Sequence, residues 1–140
     1  MAKKKVFVSF DFENDRQYKY LLEAWDNNPE FDFSMNDKSS REINSWDVSR
    51  IKAGLTTKIN EAQYTIVIVG KYANAKDKNS EEIGYRNWQN FEIARSKQNG
   101  NKLIGIKLDR SYTSPEELIN SNASWAYSFS LESIIKALNS

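Results

Sequence analysis

The sequence predicts an α/β protein with three layers, helices covering both faces of a central parallel sheet. Two patterns carry that expectation. Short β-rich runs and amphipathic helical segments take turns along the chain, the arrangement that right-handed crossovers between parallel strands produce. The run YTIVIVG (Tyr64–Gly70) is β-branched almost throughout, so it reads as a central strand. Gly (5) and Pro (2) are sparse, which argues against long linkers, and 140 residues suit a single domain, 1–140, with one core.

Each element has its own signal. KKVFVSF (Lys4–Phe10) is a β-rich run bounded by charge, the first strand. A helix follows from about Asp15, where Asn14 and Gln17 form a capping-box-like pair and Tyr18, Leu21, Leu22 and Trp25 fall at helical spacing. NNP (Asn27–Pro29) ends it. FDFSM (Phe31–Met35) alternates like a half-buried edge strand. After the polar loop NDKSSREINS, a second helix runs roughly Asp47–Glu61, with Val48, Ile51, Leu55 and Ile59 inward. The central strand comes next. A polar connection, KYANAKDKNS, then leads into a third helix carrying YRNWQNFEIARS (Tyr85–Ser96). KLIGIKLD (Lys102–Asp109) is another strand. The loop-rich region Arg110–Ser128 leads to a short strand near Trp125–Phe129. Ser130 caps a last helix with Leu131, Ile134, Ile135 and Leu138 on its inner stripe.

This order makes the flavodoxin-like strand order 2-1-3-4-5 the natural choice. Ligands in such folds bind beyond the carboxyl ends of the strands, near the switch point between strands one and three. Here that rim comprises Ser9–Asp15, Asn36–Lys38 and Gly70–Tyr72.

Composition narrows the chemistry. The net charge of +1 argues against a nucleic-acid binder working by bulk charge. AKKK at the start is too short for a signal peptide, and no apolar run approaches the ~18–20 residues that span a bilayer. A cytoplasmic protein is expected. Cys and His are both absent, so thiol nucleophiles, thiolate zinc sites and the usual general base are excluded. No metal site is expected.

Familiar uses of the fold fail on the rim. No Asp ends the central strand, as a phosphoacceptor would need. SFDFENDRQ is too acidic for a phosphate loop, and neither G-x-G-x-x-G nor G-x-x-x-x-G-K-[ST] occurs. An EF-hand read from Asp11 lacks the sixth-position Gly and has Leu22 at the twelfth. Asp11, Glu13 and Asp15 stand at a helix start, where each carboxylate stabilises the macrodipole by ~0.3–1 kcal/mol. A Mg²⁺ or ligand-ribose role for one of them, foremost Asp11, is the alternative. Trp46 is either a core anchor or a lid residue, and Lys38 reads as solvated.

The stretch YRNWQNFEIARS poses the sharpest question. At helical spacing Tyr85, Trp88, Phe91, Glu92 and Arg95 share one broad aromatic face with a carboxylate in it. Glu92 is then either a surface residue partnered by Arg95 or Ser96, or a carboxylate at the pocket end of the helix, desolvated by Trp88 and Phe91 with its pKa raised.

The pattern resembles the Toll/interleukin-1 receptor (TIR) domain, and more closely the small TIR-like proteins of bacteria and archaea, including the TIR subunit of the Thoeris anti-phage system. The resemblance rests on KKVFVSFDFENDRQYKYLLEAW, SWDVSRIKAGLTTKINEAQYTIVIVGKYA and NWQNFEIARSKQNGNKLIGIKLD, in order over most of the chain, and above all on Trp88-x-x-x-Glu92. It implies NAD⁺ as substrate, no further cofactor, and a helical Glu, here Glu92, as the catalytic residue. It implies that Phe10 and Asp11 border the nicotinamide ribose. It also places the Asn36–Lys38 loop, with Asp37, where many TIR domains gate the pocket and assemble. SFDFENDR departs from the common aromatic-Ser-Tyr opening. Trp46, Tyr85 and Trp88 are candidates to stack on the ligand's rings or exclude water, and equally candidates for the core.

The chemistry suits the inventory. Nicotinamide leaves as a neutral group, so one carboxylate that holds ribose hydroxyls and stabilises an oxocarbenium-like state is sufficient. Water as acceptor gives ADP-ribose, and a ribose hydroxyl of the same molecule gives a cyclic product. The expected function is therefore conversion of NAD⁺ into an ADP-ribose-type, cyclic signal. A phage component would switch the enzyme on, a separate effector would read the signal, and copies of the chain would assemble. The competing expectation is a non-enzymatic interaction module working through loops Asn36–Asn44 and Lys71–Ser80.

Overall fold

The computed structural model describes residues 4–25, 33–35 and 47–140. Five strands form one parallel sheet: β1 (Lys4–Ser9), β2 (Phe33–Met35), β3 (Tyr64–Val69), β4 (Lys102–Lys107) and β5 (Ser124–Ala126). Their spatial order is β2-β1-β3-β4-β5, the flavodoxin-like order expected from the sequence. The helices are α1 (Phe12–Trp25), α2 (Val48–Glu61), α3 (Ser80–Ile83), α4 (Trp88–Gln98) and α5 (Leu131–Leu138), with a 3-10 turn at Glu116–Leu118. None of these helices is long and apolar enough to cross a membrane.

Strand alternation sorts the side chains between two apolar layers. Val6, Val8 and Phe10 pack with Leu22 of α1 and with Ile134 and Leu138 of α5. Phe7, between them in sequence, packs with Leu55 and Ile59 of α2 and Phe91 of α4. On β3, Ile66 and Ile68 face α1 and α5, while Val67 and Val69 pack with Ile93 of α4. Fully burying one such side chain contributes about 1.5–3 kcal/mol, so this two-sided core holds the sheet between its helices. One consequence matters for the site: Ser9 lies on Phe7's face and is aimed at α4.

Three features stand out among the departures from the sequence expectation. First, α1 starts at Phe12 rather than near Asp15. The Asp11 carboxylate accepts the Glu13 amide at 3.1 Å and the Asn14 side-chain amide at 2.6 Å, so Asp11 takes the capping role expected of Asn14. Second, the expected third helix is two helices. Gly84 ends α3 in the left-handed region at φ 83°, a conformation that favours glycine, and Asn87 starts α4 by accepting the Asn90 amide at 2.9 Å. Tyr85 therefore sits in the turn between them, off the helix that carries Glu92.

Third, α4 is not an amphipathic helix with an aromatic inner face. Gln89, Asn90, Phe91, Glu92, Ile93, Ala94 and Ser96 are all buried, because α4 packs against β1, β3, β4, α2 and the 3-10 turn at once. Arg95 is exposed.

Candidate functional site

Residues Gln89, Glu92 and Ser96 fall three and four apart, so they form one polar stripe along α4. That stripe faces the sheet. The Ser9 hydroxyl donates to Glu92 Oε1 at 2.7 Å, with Ser9 fully buried and Glu92 3% exposed. One turn earlier, the Gln89 side-chain amide donates to the Ile68 carbonyl at 3.0 Å and, more weakly, to the Ser9 carbonyl at 3.4 Å. One turn later, Ser96 and Thr65 share a 2.7 Å hydroxyl contact, and Ser96 also donates to the Glu92 carbonyl at 2.8 Å. Buried polar groups carry a large penalty when left unpartnered, and these pairings hold the register of α4 on β1 and β3.

Beyond the carboxyl ends of β1 and β3 lies a cavity of about 280 Å³, at the lower edge of the size range of small-molecule pockets, ~300–1,000 Å³. Phe10, Asp11, Phe12, Glu13 and Asn14 form one wall. Tyr72, Ala75, Lys76 and Asp77 form another, and Asn87, Trp88 and Gln89 close it from the start of α4. This is the switch point at which doubly wound sheets bind ligands.

The structure places Phe10, Asp11 and Trp88 on the wall of this cavity. Glu92 is off that wall, one turn further along α4, its carboxylate bonded to the residue just before Phe10. It is buried rather than on the surface, and its backbone carbonyl accepts from Ser96. Tyr85 is not brought to the cavity. It precedes α4 and sets its ring edge-on to Phe91 at 5.9 Å, in the layer shared with α2. Asp37, Lys38 and Trp46 lie outside the described residues. Sequence reasoning put Ser9 on the rim without pairing it with Glu92, and it missed Gln89. The pairing was recoverable from the face Ser9 shares with Phe7, and Gln89 from its place three residues before Glu92.

The wall is rigidly built. Asn87 donates to the carbonyls of Ala73 and Ala75, both at 2.9 Å. Asn90 is fully buried and donates to Asn74 and Asn87 side-chain oxygens at 3.1 and 2.9 Å, while its own oxygen accepts the Glu117 amide at 2.9 Å. Asn74 Oδ1 also accepts the Glu116 amide at 3.0 Å. Two segments, the loop after β3 and the 3-10 turn, are thus laced to the first turn of α4.

Next to the cavity, Asp15 is 6% exposed and its Oδ2 has no hydrogen-bond partner among the described residues. Burial raises its pKa to about 6, helped by the negative charge of Asp11. Its carboxylate lies against Gly70 at the end of β3, where a Cβ would come within 2.0 Å of Oδ2. Glycine is required there for close approach. Lys19, also buried, pairs with Glu23 at 3.2 Å and stands 5.6 Å over the Phe10 ring. Among the described residues no group of three or more acidic, His or Cys side chains is placed to hold a metal ion.

The family described as Thoeris protein ThsB, TIR-like domain, matches residues 7–113, about three quarters of the chain. The chain belongs to this family. The TIR-like domain also resembles solved structures at low identity. A 2-deoxyribosyltransferase from the psychrotolerant bacterium Bacillus psychrosaccharolyticus aligns with a TM-score of 0.53 at 15% identity, over 89% of this chain and 87% of that one. The TIR domains of the activated Roq1 resistosome, described as directly recognizing the pathogen effector XopQ, align with a TM-score of 0.47 at 18% identity, over 76% of this chain and 60% of that one. The first of these shows a shared fold. No curated protein matches the chain in sequence.

Proposed function

We propose that this TIR-like domain cleaves the nicotinamide–ribose bond of NAD⁺ and releases an ADP-ribose-type product, cyclic where water is excluded. The observation that carries the reading is the Glu92 carboxylate, buried, held by Ser9 and one turn from the wall of the switch-point cavity. In the reaction the C–N bond breaks and its electron pair leaves with neutral nicotinamide. The ribose carbon left behind carries developing positive charge, which Glu92 stabilises electrostatically. A water oxygen then bonds to that carbon and releases its proton to solvent, or a hydroxyl of the same molecule takes its place. Phe10 and Trp88 flank the ring that leaves, and Asp11 borders the ribose.

A carboxylate that is 3% exposed reaches a ribose only after its surroundings move. That suits an enzyme silent until an activator, in this reading a phage component, opens it, in an assembly of several copies. The product then carries the signal to a separate effector.

One observation favours a second reading, a non-enzymatic module that pairs through its loops. Glu92 belongs to a stripe in which Gln89 and Ser96 also bond to the sheet, so its place is equally explained by packing of α4. NAD⁺ consumption by the wild type and Glu92→Gln, with chromatography of products and with phage extract as activator, separates the two. Loss of turnover in Glu92→Gln supports the enzyme. Equal turnover removes Glu92 from catalysis, and an inert wild type under activation leaves the module.

A further inference from the structure

Gln89 is 4% exposed, yet it stands on the cavity wall. Its side-chain nitrogen faces two backbone carbonyls, those of Ile68 and Ser9. That fixes which end of the amide is which, because an oxygen in the same place would face two acceptors and gain no hydrogen bond. Its oxygen is consequently fixed as well. It accepts no hydrogen bond among the described residues. A buried amide with its nitrogen anchored and its oxygen open is a preset acceptor at the cavity wall.

From this we infer that Gln89 determines ligand specificity: its side-chain oxygen accepts a hydrogen bond from a donor on the bound ligand. The inference deepens the proposed function and rests on it. The anchoring carbonyls belong to the ends of β1 and β3, so the amide cannot turn over to offer its nitrogen without losing both bonds. A ligand group that brings only acceptors or negative charge to this position is rejected, since both partners would lack a proton to share. The proposed function seats the nicotinamide riboside half of NAD⁺ here, and on that half two groups carry such a donor, the carboxamide of the ring and the hydroxyls of its ribose.

Equilibrium binding to the Glu92→Gln protein, which removes turnover from the measurement, distinguishes them. The probes are NAD⁺, its analogue with a ring carboxylate in place of the carboxamide, and its analogue with a 2′-deoxy ribose on the nicotinamide side. The inference expects one of the two analogues to bind at least about tenfold more weakly than NAD⁺. Weakening of the carboxylate analogue assigns the donor to the carboxamide, and weakening of the deoxy analogue assigns it to the ribose. Gln89→Met keeps the volume and should shrink that ratio to within about threefold, and Gln89→Ala is the second variant should Gln89→Met fold poorly. Equal binding of all three probes, no binding of NAD⁺, or a ratio that survives both substitutions overturns the inference. Failure of the proposed function is read elsewhere, as absence of NAD⁺ consumption by the activated wild type, so selective binding without turnover would sink the reaction and keep the acceptor.

Discussion

The Ser9 hydroxyl donates to the Glu92 carboxylate at 2.7 Å, joining residues 83 positions apart at the buried seam between β1 and α4. Hydrogen bonds to charged groups in such places contribute more than neutral ones, and losing the donor costs about 1–3 kcal/mol. Ser9→Ala should lower the denaturation midpoint accordingly. In a double-mutant cycle with Glu92→Gln, the coupling should reach roughly 0.5–3 kcal/mol. Strict additivity of the two substitutions would show that the contact contributes nothing to stability.

Of this seam, only the packing of the sheet side was legible in the sequence. The sheet order followed from alternation of strand and helix, because each segment had one dominant period. The seam did not, since α4 has no dominant period: surrounded on most sides, it buries Asn90 and Gln89 as fully as Phe91. Helical periodicity reports a helix with one wet face, and here it suggested an aromatic face that included Tyr85. Gly84 and Asn87 carried the correction as a stop and a cap, two signals inside the segment that the periodicity spanned. Glu92 was legible as an oddity and Ser9 as a rim residue on Phe7's face, while their pairing emerged once β1 and α4 were placed face to face.

Asp15 makes stability depend on pH. Its folded pKa is raised to about 6, above the ordinary value of 3.8, so the native state holds the proton more tightly than the unfolded chain. Below the unfolded value both states are protonated and the group is neutral in effect. As pH rises from about 4 to about 6 the unfolded state gives up its proton first, and stability falls by an amount on the order of 3 kcal/mol, levelling above pH 7. Asp15→Asn removes the titration. The stability advantage of Asp15→Asn over the wild type should therefore grow across that window, read from urea midpoints at successive pH values. An advantage that does not vary with pH would mean that Asp15 does not titrate there.

Gly70 exists at the end of β3 to let that carboxylate in. A Cβ at residue 70 would meet Asp15 Oδ2 at 2.0 Å and Oδ1 at 2.7 Å. Overpacking of this kind costs about 1–3 kcal/mol, so Gly70→Ala should be destabilised by that much. The clash is with a single side chain, so Asp15→Ala should suppress it, leaving a cost of about 0.5 kcal/mol or less for Gly70→Ala in that background. A penalty of the same size in both backgrounds would place the strain in the backbone of β3 instead.

Asn90 should control the order of the cavity wall separately from the stability of the sheet. Its oxygen holds the Glu117 amide, and its nitrogen holds the side chains of Asn74 and Asn87, which in turn anchor Glu116, Ala73 and Ala75. Asn90→Ala deprives the Glu117 N–H of its acceptor and two amide oxygens of a donor, at about 1–3 kcal/mol for a buried group left unpaired. Asn87 still accepts the Asn90 backbone amide, so the cap of α4 survives the substitution. The loss should therefore fall on the loops. In native-state hydrogen exchange the Glu116 and Glu117 amides should speed up by about tenfold or more, while the amides of β3 and β4 keep exchange rates set by global unfolding. Uniform acceleration across loops and strands would instead make Asn90 a residue of the core, with no separate hold on the cavity.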